Sequence, residues 1–356
     1  MCKKVIVGLS GGVDSAVAAL LLKQNGYDVT GVTLKLLPEK YLNPTFKAEN
    51  NPDKDIADAK IVANKIGIKH IVADFTELFE KKVIENFAKE YLDGRTPNPC
   101  VVCNKFLKFG AMFEYAMAHG FDYIATGHYA IIEFCKTKNR WLLKRANCLK
   151  DQSYMLYNLS QQHLAHTLFP LGNLEKSQTR KIAADFGLSI AQKRDSQEIC
   201  FVKNESYVDF IKKHFNFASQ KGNFVDANGN ILGQHNGILN YTVGQRKGLG
   251  ISFGKPMYVV KINAATNEVI LGTEDELFLS ELTVSNYNFI PFDQLDKEIE
   301  VTAKIRYQAS PEQAIISPVS TQKIKVVFKN SQRSITPGQS IVFYDEDTIV
   351  GGGIID

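Results

Sequence analysis

Two short stretches of the sequence contain residue types that can do chemistry, and the first of them holds a pair of thiols. The segment GRTPNPCVVCNKFLKFG (94–110) places Cys100 and Cys103 in a C-x-x-C pattern after two prolines. Because proline favours the first position of a helix, Asn98 or the chain just beyond Pro99 can start one. Cys103 would then lie in or near the first turn, where the helix dipole lowers a thiol pKa and favours the reactive thiolate.

A third candidate thiol, Cys200, lies in RDSQEICFV (194–202), and Lys105 and Lys108 add positive charge near Cys103. The 356 residues include six cysteines, and Asp14 interrupts the first apolar run, which argues against a secretion signal. A disulfide scaffold is therefore not expected, since short cysteine spacing in such a chain more often serves metal binding or catalysis. No stretch approaches ~18 uninterrupted apolar residues, so we expect a cytoplasmic protein without a membrane span.

The second stretch, GLSGGVDS (8–15), follows the apolar run VIV and precedes a helical pattern. Glycine there costs backbone entropy, and the gain that offsets it is close approach of backbone N–H groups to an anion. The stretch is neither a Walker A loop nor a G-x-G-x-x-G loop. Asp14 would repel a phosphate, so it either caps the helix or holds Mg²⁺ beside pyrophosphate. A glycine-rich turn without a ligand is the alternative.

Strand and helix patterns alternate over residues 1–135, which predicts parallel βαβ units and a doubly wound α/β sheet. Ligands of such sheets bind at the carboxyl ends of the strands, and both the glycine loop and TGH (126–128) fall there. In this interpretation FDYIATGHYA (121–130) is a strand, residues 151–187 are helical, and residues 207–215 form one more helix.

After residue 215, Gly and Asn become frequent between short β patterns, and a hairpin is predicted at 256–272. The strands from residue 282 onward, one of them ending in Arg306 and Tyr307, suggest a small antiparallel barrel. We predict three domains: an α/β domain, a small mixed middle domain and a C-terminal β-barrel, at 1–203, 204–279 and 280–356. Lys and Arg exceed Asp and Glu by seven in the first, which suits a polyanionic partner. A solvated lysine-rich surface is the alternative.

The S-G-G-V-D-S motif resembles the PP-loop of the ATP pyrophosphatase superfamily, with its adenine nucleotide alpha-hydrolase-like fold. Members cleave ATP between the α and β phosphates and adenylate a carbonyl oxygen. Further motifs follow in order over essentially the whole chain: T-P-N-P-x-x-x-C-N, A-T-G-H-Y, K-D-Q-S-Y, I-C-F, Y-T-V-G-Q-R-K-G-L-G, and T-P-G-Q-S with a terminal G-G-G-I-I. Together they are similar to the motifs of the tRNA 2-thiouridylase family. The resemblance implies that sulfur replaces the C2 oxygen of the wobble uridine in tRNAs for Lys, Glu and Gln.

The resemblance also implies roles for residues of this chain. Cys103 corresponds to the nucleophile and Cys200 to the cysteine that receives persulfide sulfur from a relay donor protein, so a Cys103–Cys200 disulfide would remain after each cycle. The positions that correspond to the ATP site, with Mg²⁺ as its metal, are Gly8, Leu9, Ser10, Gly11, Gly12, Val13, Asp14, Ser15, Leu34 and Gly127. The positions that correspond to contacts with the tRNA and its anticodon stem-loop are Asn98, Pro99 and Cys100 at the target base, Lys150, Asp151 and Gln152, and Arg306 and Tyr307.

Cys100 departs from the family pattern, which often has an aspartate there that is proposed as a general acid/base. A thiol fills that role poorly, because its unperturbed pKa is about 8.5. Cys100, Cys103 and Cys200 could instead hold a [4Fe–4S] cluster with one open iron that delivers sulfide. A small residue that fills space is the third interpretation of Cys100.

Two other function classes stay open from the sequence. Another ATP-dependent ligase or amidotransferase of the same superfamily would leave the cysteines without a use, and the sequence shows no amidotransferase partner domain. A non-catalytic module that binds tRNA or nucleotide would do so without releasing pyrophosphate.

Overall fold

A computed structural model describes residues 2–41, 52–193, 199–202, 205–252 and 254–356. Within these ranges, the side chains of residues 52 and 53 are not described. By its internal contacts the chain divides into two compact units. The first comprises residues 1–83, 100–203 and 347–349, and the second residues 84–99, 204–346 and 350–356. The three-domain division at 1–203, 204–279 and 280–356 stays a prediction.

The strands of the described chain are β1 (Lys4–Gly8), β2 (Asp28–Lys35), β3 (Lys69–Asp74), β4 (Tyr123–Ala125), β5 (Ala130–Cys135), β6 (Arg140–Arg145), β7 (Thr167–Leu168), β8 (Gly222–Val225), β9 (Ile231–His235), β10 (Tyr258–Asn263), β11 (Glu268–Gly272), β12 (Phe278–Phe289), β13 (Ile299–Lys304), β14 (Glu312–Ser320), β15 (Lys323–Arg333), β16 (Ser340–Asp345) and β17 (Thr348–Ile355).

The α-helices of the same ranges are α1 (Val13–Gln24), α2 (Pro52–Ile66), α3 (Thr76–Phe79), α4 (Glu85–Leu92), α5 (Pro99–Cys103), α6 (Met112–Ala118), α7 (Gln161–Ala165), α8 (Lys176–Asp185) and α9 (Tyr207–His214). Two π-helical segments, Glu80–Ile84 and Asn104–Ala111, connect α3 to α4 and α5 to α6. Among the described helices, none has both the length and the apolar content to cross a membrane.

The first unit is built on a parallel five-stranded sheet in the order β3-β2-β1-β4-β7. In this sheet Val5 of β1 lies opposite Val29 of β2 and Tyr123 of β4. Short apolar runs form these strands because both faces of the sheet are covered, and α1, rich in alanine and leucine, is buried in the same core. Gly26, with φ +83°, ends α1 as its sequence position predicts. The predicted doubly wound α/β sheet is confirmed.

Two sequence-based predictions for this unit are wrong in detail. The stretch FDYIATGHYA (121–130) is not one strand: β4 ends at Ala125, and the Thr126 hydroxyl then lies 2.7 Å from the His128 Nδ1 in a turn. Residues 151–187 hold only α7, α8, the strand β7 and a 3₁₀ turn. Side chains such as that of Asp151, which accepts from the Ser153 backbone N–H, compete there with helical hydrogen bonds.

The second unit contains a four-stranded sheet, β10-β11-β8-β9, and an antiparallel barrel. The barrel runs β12-β15-β14-β13-β16-β17 and closes where Val284 of β12 lies opposite Ile355 of β17. Its inner side chains form one apolar core, as alternating strand patterns predict. The predicted barrel and the 256–272 hairpin are confirmed. Arg306 and Tyr307 are not in a strand, since β13 ends at Lys304 and they lie in the turn that follows.

Candidate active site

The glycine loop connects the end of β1 to the start of α1 and leaves the first amides of that helix without a side-chain cap. Gly12 is the N-cap of α1, and no side chain caps the helix, so the interpretation of Asp14 as a cap is wrong. Gly11 has φ +69°, a backbone conformation that favours glycine. The Ser15 hydroxyl lies 3.2 Å from the Ser10 backbone N–H and donates to the Gly12 carbonyl at 3.1 Å. Uncapped amides at a helix N-terminus are suited to bind phosphate oxygens.

Asp14 lies in the first turn of α1 and is paired with a lysine of α8. Lys176 Nζ is 2.7 Å from both carboxylate oxygens of Asp14, and the Tyr129 hydroxyl donates to one of them at 2.8 Å. Burial and the adjacent carboxylate raise the pKa of Tyr129, so its hydroxyl stays protonated as a donor. The Asp14 carboxylate is thus neutralised next to the loop that would bind an anion.

A protein-held Mg²⁺ does not fit the donors at Asp14. Mg²⁺ needs oxygen ligands in an octahedral arrangement, and an ammonium already contacts both carboxylate oxygens. Within the described residues, no group of three or more His, Cys, Asp and Glu side chains converges on a point that could hold a metal ion.

A second lysine, Lys193, contacts the glycine loop from its other side. Its Nζ donates to the Gly11 carbonyl at 3.0 Å and pairs with Asp58 at 2.8 Å and Asp55 at 3.2 Å. Burial alone would lower the pKa of Lys193, but the two carboxylates outweigh it and raise the pKa, so the ammonium stays charged. Sequence reasoning missed both lysines, because their partners lie 162 and 182 residues away along the chain.

Gly127 lies in the turn after β4, directly against the glycine loop. A Cβ at this position would come within 2.6 Å of the Asp14 carbonyl carbon and of the Ser15 backbone nitrogen. The glycine therefore permits backbone contact at the start of α1. Of the other positions predicted for ATP, the side chains of Leu9 and Val13 are buried in the sheet core, so only their backbone can face a ligand. Leu34 is half-buried in β2.

Helix α5 begins at Pro99, within one residue of the predicted start, and Cys103 is its last residue. The predicted lowering of the Cys103 pKa is wrong. Burial raises the pKa of this thiol to about 11; Lys108 opposes the shift and Cys100 adds to it. The helix dipole acts within the first turn only, whereas burial penalises the thiolate wherever packing excludes water. Without bound substrates, Cys103 is therefore a protonated thiol at neutral pH.

This raised pKa predicts a distinctive alkylation profile for Cys103. Iodoacetamide reacts with the thiolate, so modification of Cys103 should accelerate about tenfold per pH unit from pH 7 upward and level off only near the pKa of about 11. Mass spectrometry of the peptide that carries Cys103 measures the rate, with Cys103→Ser as the blank. A midpoint at or below pH 8 would contradict the assignment of a partly buried, protonated thiol.

The other two candidate cysteines lie at exposed positions. Cys100 and Cys103 share helix α5, and Cys200 lies in the short described range 199–202, while residues 194–198 of its motif are outside the described residues. All six cysteines of the chain are described as thiols. In the described arrangement the thiols of Cys100, Cys103 and Cys200 do not converge as cluster ligands would, so the [4Fe–4S] alternative is not favoured.

The positions predicted to contact tRNA differ in solvent exposure and in the hydrogen bonds that they already make. Lys150 and Arg306 are exposed, and Arg306 also donates to the Arg333 carbonyl at 3.3 Å. Asp151 accepts hydrogen bonds from the Ala146 and Ser153 backbone, and Gln152 exchanges two hydrogen bonds with the Tyr129 backbone. These last two side chains organise the turn that bears Lys150.

The parallel sheet and the glycine loop after β1 define a HUP-type nucleotide-binding domain. Residues 3–204 match the family model described as tRNA methyl transferase HUP domain, residues 208–273 the tRNA methyl transferase PRC-barrel domain, and residues 279–355 the aminomethyltransferase beta-barrel domain. Two curated relatives are the tRNA-specific 2-thiouridylases MnmA of Clostridioides difficile and of Acetivibrio thermocellus. Each is 52% identical; the first match covers 100% of this chain and 99% of the relative, and the second 99% of both. The chain belongs to the tRNA-specific 2-thiouridylase family.

Two solved structures are similar to this chain over part of its length. One is a 4-thiouridine synthetase–RNA complex with bound ATP, 16% identical, with a TM-score of 0.36 over 59% of this chain and 50% of that one. Another is the NMN synthetase from Francisella tularensis, 21% identical, with a TM-score of 0.36 over 58% of this chain and 71% of that one.

Proposed function

We propose that this protein is an ATP-dependent tRNA sulfurtransferase that converts the wobble uridine of tRNAs for Lys, Glu and Gln into 2-thiouridine, with AMP and pyrophosphate as the other products. One observation carries the proposal: three 2-thiouridylases are 51–52% identical to this chain over 99–100% of its length. The uncapped start of α1 after the glycine loop supports the use of ATP.

In the first step the uridine O2 attacks the α-phosphate of ATP and pyrophosphate leaves. The oxygen of an amide-like carbonyl is a poor leaving group, and the adenylate makes it expellable. We assign the pyrophosphate to the amides of residues 8–15, beside which Lys176 offsets the charge of the Asp14 carboxylate. Mg²⁺ would arrive with the phosphates of ATP, because Lys176 already pairs with Asp14.

In the second step a cysteine persulfide donates its outer sulfur to C2 of the uridine. A persulfide on Cys200, loaded by a donor protein, attacks C2 through its outer sulfur, and AMP departs with the original oxygen. Cys103 then attacks the Cys200 sulfur, so the sulfur–sulfur bond breaks and the outer sulfur stays on C2. A Cys103–Cys200 disulfide forms, and a two-electron reductant must restore both thiols before the next cycle.

The tRNA contacts belong to the same proposal. C2 can be reached only when the base leaves its stack, so Asn98, Pro99 and Cys100 would hold an extruded uridine. Lys150 and Arg306, both exposed, would bind phosphates of the anticodon stem-loop, and Tyr307 offers a ring on which a base can stack.

The direct assay incubates the protein with ATP, a persulfide donor and unmodified tRNA. Thiolated uridine is detected by retarded migration in a mercury-containing gel, and pyrophosphate is counted in parallel. We expect about one pyrophosphate per retarded tRNA. Binding without pyrophosphate release would indicate a non-catalytic module, and pyrophosphate release without retarded tRNA would indicate another ligase of the superfamily.

Lys176→Met is expected to raise the KM for ATP about tenfold, since it leaves the Asp14 carboxylate unpaired beside the incoming phosphates. Initial rates of AMP formation at varied ATP concentration measure the effect. Lys181→Met is the matched control, because Lys181 is an exposed lysine of the same helix. Equal KM values for the two variants would contradict the role given to Lys176.

A further inference from the structure

A turn of the C-terminal barrel holds the residues that lead into the predicted base-contacting positions. The turn comprises residues 336–339, between β15 and β16, and the segment it holds comprises residues 95–97. The Thr96 backbone N–H donates to the Pro337 carbonyl at 2.8 Å. Gln339 Nε2 donates to the Thr96 carbonyl at 3.0 Å and lies 3.4 Å from the Pro97 carbonyl. Both polar backbone groups of Thr96 are therefore bound by one turn that is distant in sequence.

The last strand of the barrel strengthens this connection through Arg95. The Arg95 Nη2 donates to the Ile355 carbonyl at 3.0 Å, and its Nε donates to Glu90 at 2.8 Å. Ile355 in turn receives a hydrogen bond from the Gly338 N–H and donates one to the Gln339 carbonyl, both at 2.9 Å. The segment, the turn and β17 thus form one hydrogen-bonded group within the second unit.

Gly338 makes the close contact possible. Its φ is +89°, and a Cβ built on it would lie 2.9 Å from the Thr96 nitrogen and 3.0 Å from the Arg95 Cβ. A side chain at residue 338 would push the segment away from the turn, because the atoms it meets include backbone that has no freedom to rotate aside.

We propose that the turn at 336–339 positions the predicted base-contacting residues Asn98 and Pro99, so that the barrel sets the geometry of base recognition in addition to contacting tRNA. The inference rests on the proposed function, in which Asn98 and Pro99 hold the target uridine. Segment 95–97 directly precedes Asn98 in the sequence, and Cys103 is the last residue of the helix that Pro99 begins. A displacement of about 1 Å at a reacting centre costs on the order of 100-fold in rate, so the turn acts on turnover rather than on tRNA affinity.

Gly338→Ala tests the inference in the full-length enzyme. Single-turnover thiolation at saturating tRNA should fall about tenfold or more, while the Kd for tRNA stays within about twofold. Hydrogen exchange of the Thr96 amide should accelerate, since its acceptor moves. Gly229→Ala is the matched control. Gly229 lies in the same unit and has φ +84°, with nothing within 4 Å of its Cβ position. Alanine there therefore introduces the same backbone strain without a steric clash.

Wild-type turnover and exchange in Gly338→Ala would overturn the inference, and so would a fall in tRNA affinity equal to the fall in turnover. Arg95→Lys is the second variant if Gly338→Ala does not fold; it keeps the charge but loses the guanidinium contact with Ile355, and it should show the same split between turnover and affinity. A wild-type enzyme that forms no 2-thiouridine would contradict the proposed function itself.

Discussion

Cys103→Ser and Cys200→Ser are each expected to lower 2-thiouridine formation by at least about 1000-fold, because a hydroxyl can neither carry a persulfide nor attack one at neutral pH. The Kd for tRNA should stay within about twofold, since serine differs from cysteine by one atom. The two variants should fail at different stages: Cys200→Ser should accept no sulfur from the donor, whereas Cys103→Ser should accumulate a tRNA still joined to Cys200 through the transferred sulfur.

Cys135→Ser is the matched control for these losses. Cys135 is a partly buried thiol whose sulfur contacts the Thr137 hydroxyl, a contact that a serine hydroxyl can keep. It should retain full activity in the mercury-gel assay. Turnover of either Cys103→Ser or Cys200→Ser at the rate of Cys135→Ser would remove that cysteine from the mechanism.

Gly127→Ala should raise the Kd for ATP on the order of 100-fold, because the added methyl group overpacks the start of α1 and displaces the amides that bind phosphate. The melting temperature should fall as well, since the clash is with backbone on both sides of the Asp14–Ser15 peptide bond. Isothermal titration with a non-hydrolysable ATP analogue and a thermal melt measure the two effects.

Gly120→Ala provides the comparison at the other end of the same strand. Gly120 has φ +72° and open space around its Cβ position, so alanine there costs some stability without reaching the glycine loop. ATP affinity should remain that of the wild type. If Gly127→Ala also binds the analogue normally, the close contact after β4 is not part of the nucleotide site.

Local patterns were sufficient to predict β1, the glycine loop and α1. The apolar run of β1, the glycines after it and the helical spacing of α1 each depend on neighbours in sequence, and the structure has all three. The same applies to the start of α5, which lies within one residue of the predicted position. Similarity to 2-thiouridylases over the full length confirms the family that the motifs indicate.

Features set by distant parts of the chain could not be predicted in this way. The pairing of Lys176 with Asp14 and of Lys193 with Gly11 depends on where α8 and the following turn pack. The Cys103 pKa was predicted with the wrong sign because burial comes from tertiary packing, whereas the dipole argument uses helix position alone. Strand β17, which closes the barrel on β12, has three consecutive glycines and gives a weak strand pattern by itself.

The fate of one oxygen atom shows whether ATP turns the uridine C2 oxygen into a leaving group. A tRNA that carries ¹⁸O at O2 of the wobble uridine is thiolated in unlabelled water, and the AMP is analysed by mass spectrometry. One ¹⁸O should appear in the phosphate of AMP for each 2-thiouridine formed. Unlabelled AMP, with the ¹⁸O recovered in water or pyrophosphate, would contradict adenylation of the base.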